Sequence, residues 1–240
     1  MIVLGLDPSL TNFGWALHDT EAQPKFRCVK RGRFQTSSKD LYISRYIEMR
    51  ESLRKLIQDT KPDRMGIEFP VFDNLYSEGM YGLFLYVSEA ILLEKKDVVF
   101  WSPLQAKAHA REFLSRPKGW AMMKPDMVEA AKVDTASTQN WNHNEADAYL
   151  IAKLSGRFWQ FLDGHLTRDN LTDTEKKFFT EVQTFVKGKK AGETIYKGVS
   201  FRENERFFLW SNNNGQSCNN NDKNIEAIPG TGSYQEDPQD

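Results

Sequence analysis

The alternation of apolar and polar positions divides the first two thirds of the chain into short strands separated by helices. Ile2, Val3, Leu4 and Leu6 form an apolar run that predicts a fully buried strand. Asp7-Pro8-Ser9 ends it in a turn. Asn12 to His18 resumes the apolar character and predicts a second strand hairpinned onto the first. Phe26 to Phe34, rich in aromatic and β-branched residues, predicts a third, its basic residues facing solvent. Leu41 to Asp59 carries Leu41, Ile43, Tyr46, Ile47, Leu53, Leu56 and Ile57 near helical spacing, which predicts an amphipathic helix ended by Lys61-Pro62-Asp63. Arg64 to Phe69 predicts a fourth strand, stopped by Pro70, and so a β-α-β arrangement. Gly79 to Lys95 is apolar nearly all round, as expected of a core helix or of one that also buries a face in a partner. Val98 to Trp101 predicts the fifth strand. Leu104 to Leu114, Met127 to Val133 and Trp141 to Leu162 predict further helices, the last capped by Asn142 or Asn144.

Beyond Gly164 the character changes. Asp173 to Val186 predicts an amphipathic helix, followed by the basic run Lys187-Gly188-Lys189-Lys190. Thr194 to Phe201 and Arg206 to Trp210 predict a hairpin with Arg202 to Glu205 as its turn. Residues 211–240, rich in Asn, Gly, Ser and Gln, read as a disordered polar tail. The chain thus divides into a main domain, 1–163, an extension, 164–210, and the tail, with no internal repeat.

Composition narrows the class. The chain has 240 residues, 40% of them hydrophobic and 27% charged, enough for one substantial soluble domain. No run reaches the roughly 18 apolar residues of a membrane span, and the N-terminus lacks a signal-peptide pattern. The two cysteines, Cys28 and Cys218, are far apart, which argues against a disulfide framework and for a cytoplasmic protein. The net charge is −1, but the tail holds five acids and one lysine, leaving residues 1–210 at +3. That mild excess permits a local basic face.

The candidate chemistry lies in carboxylates at element ends. Asp7 closes the first strand, where it is either a turn-capping aspartate or a metal ligand on a rigid element. Glu68 stands near the end of the fourth strand, as an ordinary edge glutamate or a second ligand. Asp147 lies one turn into the late helix, where the apolar surface begins. Helical geometry puts His143 about 40° and Asn144 about 60° from Asp147, and Glu145 about 160° away once the helix has begun. Lys107, His109, Arg111, Arg116, Lys118 and Lys124 form a basic run interleaved with Phe113 and Trp120. It is a solvated face or a phosphate-contacting one.

Taken together, GLDPSLTNFGWAL, IEF and NEADAYLIA resemble the first-strand, second and final-helix motifs of the RuvC-type Holliday-junction resolvases. The resemblance runs from about residue 1 to 160, and the late helix also resembles the nuclease domain of CRISPR effectors. It implies a ribonuclease H-like α/β fold, a five-stranded mixed sheet flanked by helices, here with a C-terminal appendage. It implies a homodimer that cuts branched DNA such as four-way junctions symmetrically, using two Mg²⁺ ions per site, with Mn²⁺ as a substitute. Asp7 would bridge both ions, and Glu68 and Asp147 would each complete one side. The family supplies an acid or a histidine three residues before the final aspartate, and here that position is Asn144. His143 is the expected replacement as a catalytic residue, with Glu145 next as a metal ligand. Phe72 lies where the family contacts distorted bases, and Lys107, Arg111 and Lys118 are the expected DNA contacts. A phage version acting in the host cytoplasm is an analogy suggested by the appendage. The alternatives are a less selective nuclease of the same fold acting on flaps or forks, and a non-catalytic junction-binding protein. A sugar-kinase-like ATPase is disfavoured, since the chain has no second phosphate loop or Gly-rich adenosine site.

Overall fold

The computed structural model describes residues 1–69, 77–117 and 119–180, together with the strands 182–184, 194–196, 200–203 and 206–209. Five strands come first in the sheet: β1 (Ile2–Asp7), β2 (Asn12–Asp19), β3 (Cys28–Gln35), β4 (Arg64–Glu68) and β5 (Val98–Trp101). They stand in the order β3-β2-β1-β4-β5, with β1, β4 and β5 parallel and the first three joined antiparallel. This is the five-stranded mixed sheet expected from the sequence. The predicted third strand starts two residues late, because Pro24–Phe26 forms a 3₁₀ turn first.

The helices are α1 (Tyr42–Thr60), α2 (Ser77–Leu93), α3 (Pro103–Phe113), α4 (Lys124–Thr135), α5 (His143–Leu162) and α6 (Asp173–Thr180). Leu4 and Leu6 of β1 and Met65 and Ile67 of β4 face α1 and α2, where they pack with Met49, Leu53, Ile57, Leu83, Val87 and Ile91. On the opposite face lies α5, and its seat is unusually close. A Cβ placed on Gly5 would collide with the Ala148 carbonyl and with Ala152, and one on Gly66 would collide with the Ser155 hydroxyl. Two glycines on adjacent strands therefore let the helix backbone lie almost against the sheet. Hydrogen bonds fix its position: Trp101 Nε1 donates to Ser155 Oγ at 2.8 Å and Trp159 Nε1 donates to the Met65 carbonyl at 3.2 Å.

The extension is built onto this core. Its helix is shorter than predicted: α6 ends at Thr180, and β6 (Val182–Thr184) pairs with β7 (Thr194–Tyr196) as a separate ribbon. Val182 and Thr184 are β-branched, and that local preference prevails over a helical period extrapolated from Phe178 and Phe179. The predicted hairpin is β8 (Ser200–Glu203) with β9 (Arg206–Leu209), and the first strand foreseen for it is split between β7 and β8. β8 pairs antiparallel with β5, so the hairpin extends the sheet to seven strands and covers the β5 edge. The rings of Phe178 and Phe179 on α6 join the core around Trp101 and Phe158. Buried Glu175 locks α6 down by accepting from Arg157 Nε at 2.8 Å and from its terminal nitrogen at 2.9 Å, with His109 Nε2 3.4 Å away. The tail, 211–240, lies outside the described residues.

Gly5→Ala should cost about 3 kcal/mol or more, the upper end for overpacking, because the obstacle is helix backbone and cannot rotate away. Urea unfolding measures it, and a wild-type midpoint would show that α5 does not sit this close to β1.

Candidate active site

The strand register sets the site. Leu6 lies opposite Ile67 in the parallel β1–β4 pair, so Asp7 and Glu68 follow at adjacent strand ends. On its other side Asp7 pairs with Gly14 of β2. A Cβ on Gly14 would strike the Asn144 carbonyl, so the first turn of α5 rests directly on that strand. The Asn144 side chain is buried and its amide donates to the Asn12 carbonyl. This pins the helix start beside Asp7 and swings Asp147, one turn on, over the strand ends. Three carboxylates predicted from separate motifs are thereby brought together.

Their electrostatics confirms the proximity. Burial, then the charges of Glu68 and Asp147, holds the Asp7 carboxyl well above its ordinary range. Burial and Asp147 push Glu68 up to about 7, and burial raises Asp147 to about 6. Two lysines act in the other direction. Lys107 of α3 favours the ionised forms of Glu68 and Asp147, and Lys124 at the start of α4 does so for Asp7 and Asp147. Both lysines are exposed, so their ammonium groups keep solvent while facing the acids.

The donor set suits a hard divalent cation, which takes oxygen ligands. Asp147 Oδ1 is buried without a hydrogen-bond partner, an acceptor that a cation would satisfy. Among the described residues no three His, Cys, Asp or Glu side chains already stand close enough together to hold a metal ion.

The candidates for the fourth position separate. Glu145 turns away, as the helical angle foretold. It bonds to Arg31 at 3.1 Å, approaches Arg33 at 3.7 Å, and closes a capping box by accepting from the Asn142 backbone at 3.4 Å. Its expected place among the metal ligands is therefore corrected: its charge is committed to two arginines of β3. His143 Nε2 lies 3.4 Å from Lys124 Nζ. Burial, then Lys124 and Arg33, lower its pKa, and its described polar neighbour is the lysine rather than a carboxylate.

Of the expected DNA contacts, Lys107 stands at the carboxylates, whereas Arg111, one turn on, faces a groove against α6. Phe72 and Lys118 lie outside the described residues. Two further residues escaped the sequence reading. Lys124 was visible only as one member of a basic run. Arg45 is a buried guanidinium that donates to Thr36 Oγ1 at 2.9 Å, the Leu10 carbonyl at 2.8 Å and Thr11 Oγ1 at 3.2 Å. It clamps the turn that follows Asp7. Its one signal was its helical register with the core residues Met49 and Leu53, where an apolar side chain would be expected.

No family model matches the chain. Among curated proteins it is similar to the crossover junction endodeoxyribonuclease RuvC of Petrotoga mobilis, 27% identical over 165 residues, which covers 66% of this chain and 94% of the relative. It is also similar to RuvC of Rickettsia bellii, 40% identical over 68 residues, covering 28% of this chain and 43% of the relative, so that match spans less than half of the Rickettsia protein. Among solved structures, RuvC of Thermus thermophilus superposes with a TM-score of 0.56 at 16% identity, covering 67% of this chain and 96% of that one. The structure of T. thermophilus RuvC in complex with a Holliday junction substrate gives 0.54 at 19% identity, covering 63% and 90%. The chain has the fold of these RuvC structures and is similar to RuvC in sequence.

Proposed function

We propose that this protein is a metal-dependent endonuclease that hydrolyses phosphodiesters in branched DNA and resolves four-way junctions. The observation that carries the reading is the convergence of Asp7, Glu68 and Asp147 from two strand ends and one helix, with two lysines facing them. Similarity to RuvC, which is named a crossover junction endodeoxyribonuclease and was solved with a Holliday junction, supports the choice of substrate.

Asp7, Glu68 and Asp147 would hold two Mg²⁺ ions, with Asp7 shared, and Mn²⁺ as a substitute. Bound there, the ions would supply activation of the attacking water and charge stabilisation of the leaving oxygen. The chain's own residues do the rest. The strands hold two carboxylates at fixed separation, so little ordering is left to the moment of reaction. Lys107 and Lys124 favour the ionised forms of the acids and offer counter-charge to an incoming phosphate. His143 orients the Lys124 ammonium by accepting its proton in a hydrogen bond. Glu145 supports the site through the helix cap and the two arginines.

The partner in solution is a second copy of the chain. Tyr81, Leu85 and Leu92 lie at i, i+4 and i+11 on α2, forming an exposed apolar stripe in which Leu85 is 50% exposed. Ile43 and Ile47 of α1 are exposed as well. A four-way junction has two-fold symmetry, so paired cuts call for two sites related by the same symmetry. Among the described residues no helix is long and apolar enough to cross a membrane. The expected place of work is the cytoplasm.

Three experiments follow from this reading. Asp7→Asn keeps the shape and removes the charge of the shared ligand; it should lower junction cleavage at least a thousandfold while junction affinity stays within about threefold, and cleavage within tenfold of wild type would refute the assignment. His143→Ala should slow single-turnover cutting with an unchanged melting temperature. Glu145→Ala should instead lower the melting temperature through the lost cap, at about 1 kcal/mol, and the opposite pattern would reverse the two roles. Leu85→Glu should convert a dimer to monomers by sedimentation and abolish paired cutting; a monomeric wild type at micromolar concentration, with and without junction DNA, would exclude the dimer.

A further inference from the structure

The basic helix α3 has two ends with different surroundings. Lys107 meets the carboxylates, while Arg111, one turn further along the same face, looks into a groove of about 510 Å³ between α3 and α6. Arg111 and Arg116 line one wall and Lys177 the other, with Glu112 and Asp173 among them and Phe178 also lining the groove. Among the described residues neither acid forms an ion pair with Arg111 or Lys177. Glu112 accepts from Thr172 Oγ1 at 2.8 Å. Arg116 leans outward to Glu129 at 3.4 Å, and over the ring of Trp120 at 5.1 Å. Among the described residues, neither Arg111 nor Lys177 has an ion-pair partner, and Arg111 Nε is buried without a hydrogen-bond acceptor. A buried guanidinium N–H left without an acceptor is rare enough to need an explanation, and an oxyanion is the ligand its geometry suits.

We propose that this groove binds a backbone phosphate of the nucleic-acid strand, extending the substrate track from the carboxylates along α3 to the C-terminal extension. The inference rests on the reading of the substrate as DNA. The groove is held in shape before any ligand arrives. Glu175, two residues before Lys177, is locked to Arg157 and His109, and Phe178 and Phe179 are packed into the core, so Lys177 stands on a fixed helix rather than a free arm. The RuvC structure that superposes with a TM-score of 0.54 covers only 63% of this chain. The second wall belongs to the extension that the sequence sets apart from the resolvase-like core.

The test is binding of a fluorescent four-way junction in EDTA, read as affinity against salt, for the full chain and two variants. Lys177→Glu alters the groove. Lys55→Glu makes the same charge change on exposed α1. Lys177→Glu should weaken binding about tenfold and lower the slope of log K against log[salt] by about one, the loss of one phosphate contact. Lys55→Glu should leave both near wild type. Equal effects of the two variants, or no effect of Lys177→Glu, would overturn the proposal. Calorimetric titration with inorganic phosphate separates the two sources of the same chemistry: phosphate uptake lost in Lys177→Glu beside unchanged junction binding would mean a free-phosphate site and would overturn the nucleic-acid assignment. Failure of the wild type to bind any branched DNA would fall on the proposed function, whereas tight wild-type binding with an indifferent Lys177→Glu would fall on the groove alone.

Discussion

The close seat of α5 on the sheet is the constraint on which the site depends. Gly5, Gly14 and Gly66 lie on three neighbouring strands, and at each a single added carbon would strike the helix. Such contact leaves no freedom to slide or tilt, because packed interiors do not yield by ångströms without cost. Asp147 is therefore fixed relative to Asp7 and Glu68 by backbone, not by side-chain choice. The Asn144 amide on the Asn12 carbonyl completes the seat at its most demanding point, the helix start. An acid at position 144 would need that same space. Here the residue secures the helix.

Bringing three acids together is unfavourable by itself. Burial raises all three, repulsion between the acids adds to this for Asp7 and Glu68, and Lys107 and Lys124 offset only part of it. The stability of the remainder of the domain must carry the difference, which is how functional sites commonly persist. The same repulsion makes the site receptive to positive charge, and that is the physical link between the fold and divalent cations. One ionic cluster away from the site is satisfied within the fold. Asp134 binds Arg27 at 2.8 Å, Lys153 at 3.2 Å and the Tyr149 hydroxyl, while His18 beside them is pushed down to about 3 and stays neutral.

Much of this was legible in the sequence because it is local. Strand runs, the helical period of α1 and the Asn142 cap depend on neighbours a few residues away, and so did the direction of Glu145, a matter of helical angle. The three acids could be read because each sits beside a turn or cap signal. What the sequence did not yield depends on contacts across more than a hundred residues, or across the sheet. Gly5 and Gly66 look like unremarkable strand glycines until α5 is laid upon them. The role of Lys124 depends on α4 folding back towards β1, and the buried role of Arg45 on a turn thirty-five residues earlier. In the extension, strand character was read at Thr194–Tyr196, at the start of Ser200–Glu203 and at Arg206–Leu209, but the sequence could not say which strands pair. That choice is made by the free edge of β5.

The extension does two jobs with one set of contacts. It covers a sheet edge that would otherwise be open, and it places Lys177 across a groove from the helix that carries Lys107 and Arg111. Core and extension thus present a continuous surface on which a nucleic-acid strand would meet charge before and after the reacting phosphate. The most direct measurement is cleavage of a four-way junction labelled on each strand in turn, in Mg²⁺, beside a linear duplex of the same sequence. The account expects paired nicks at symmetry-related positions on two opposing strands and little cutting of the duplex. Intact junction, or equal cutting of both substrates, would contradict it.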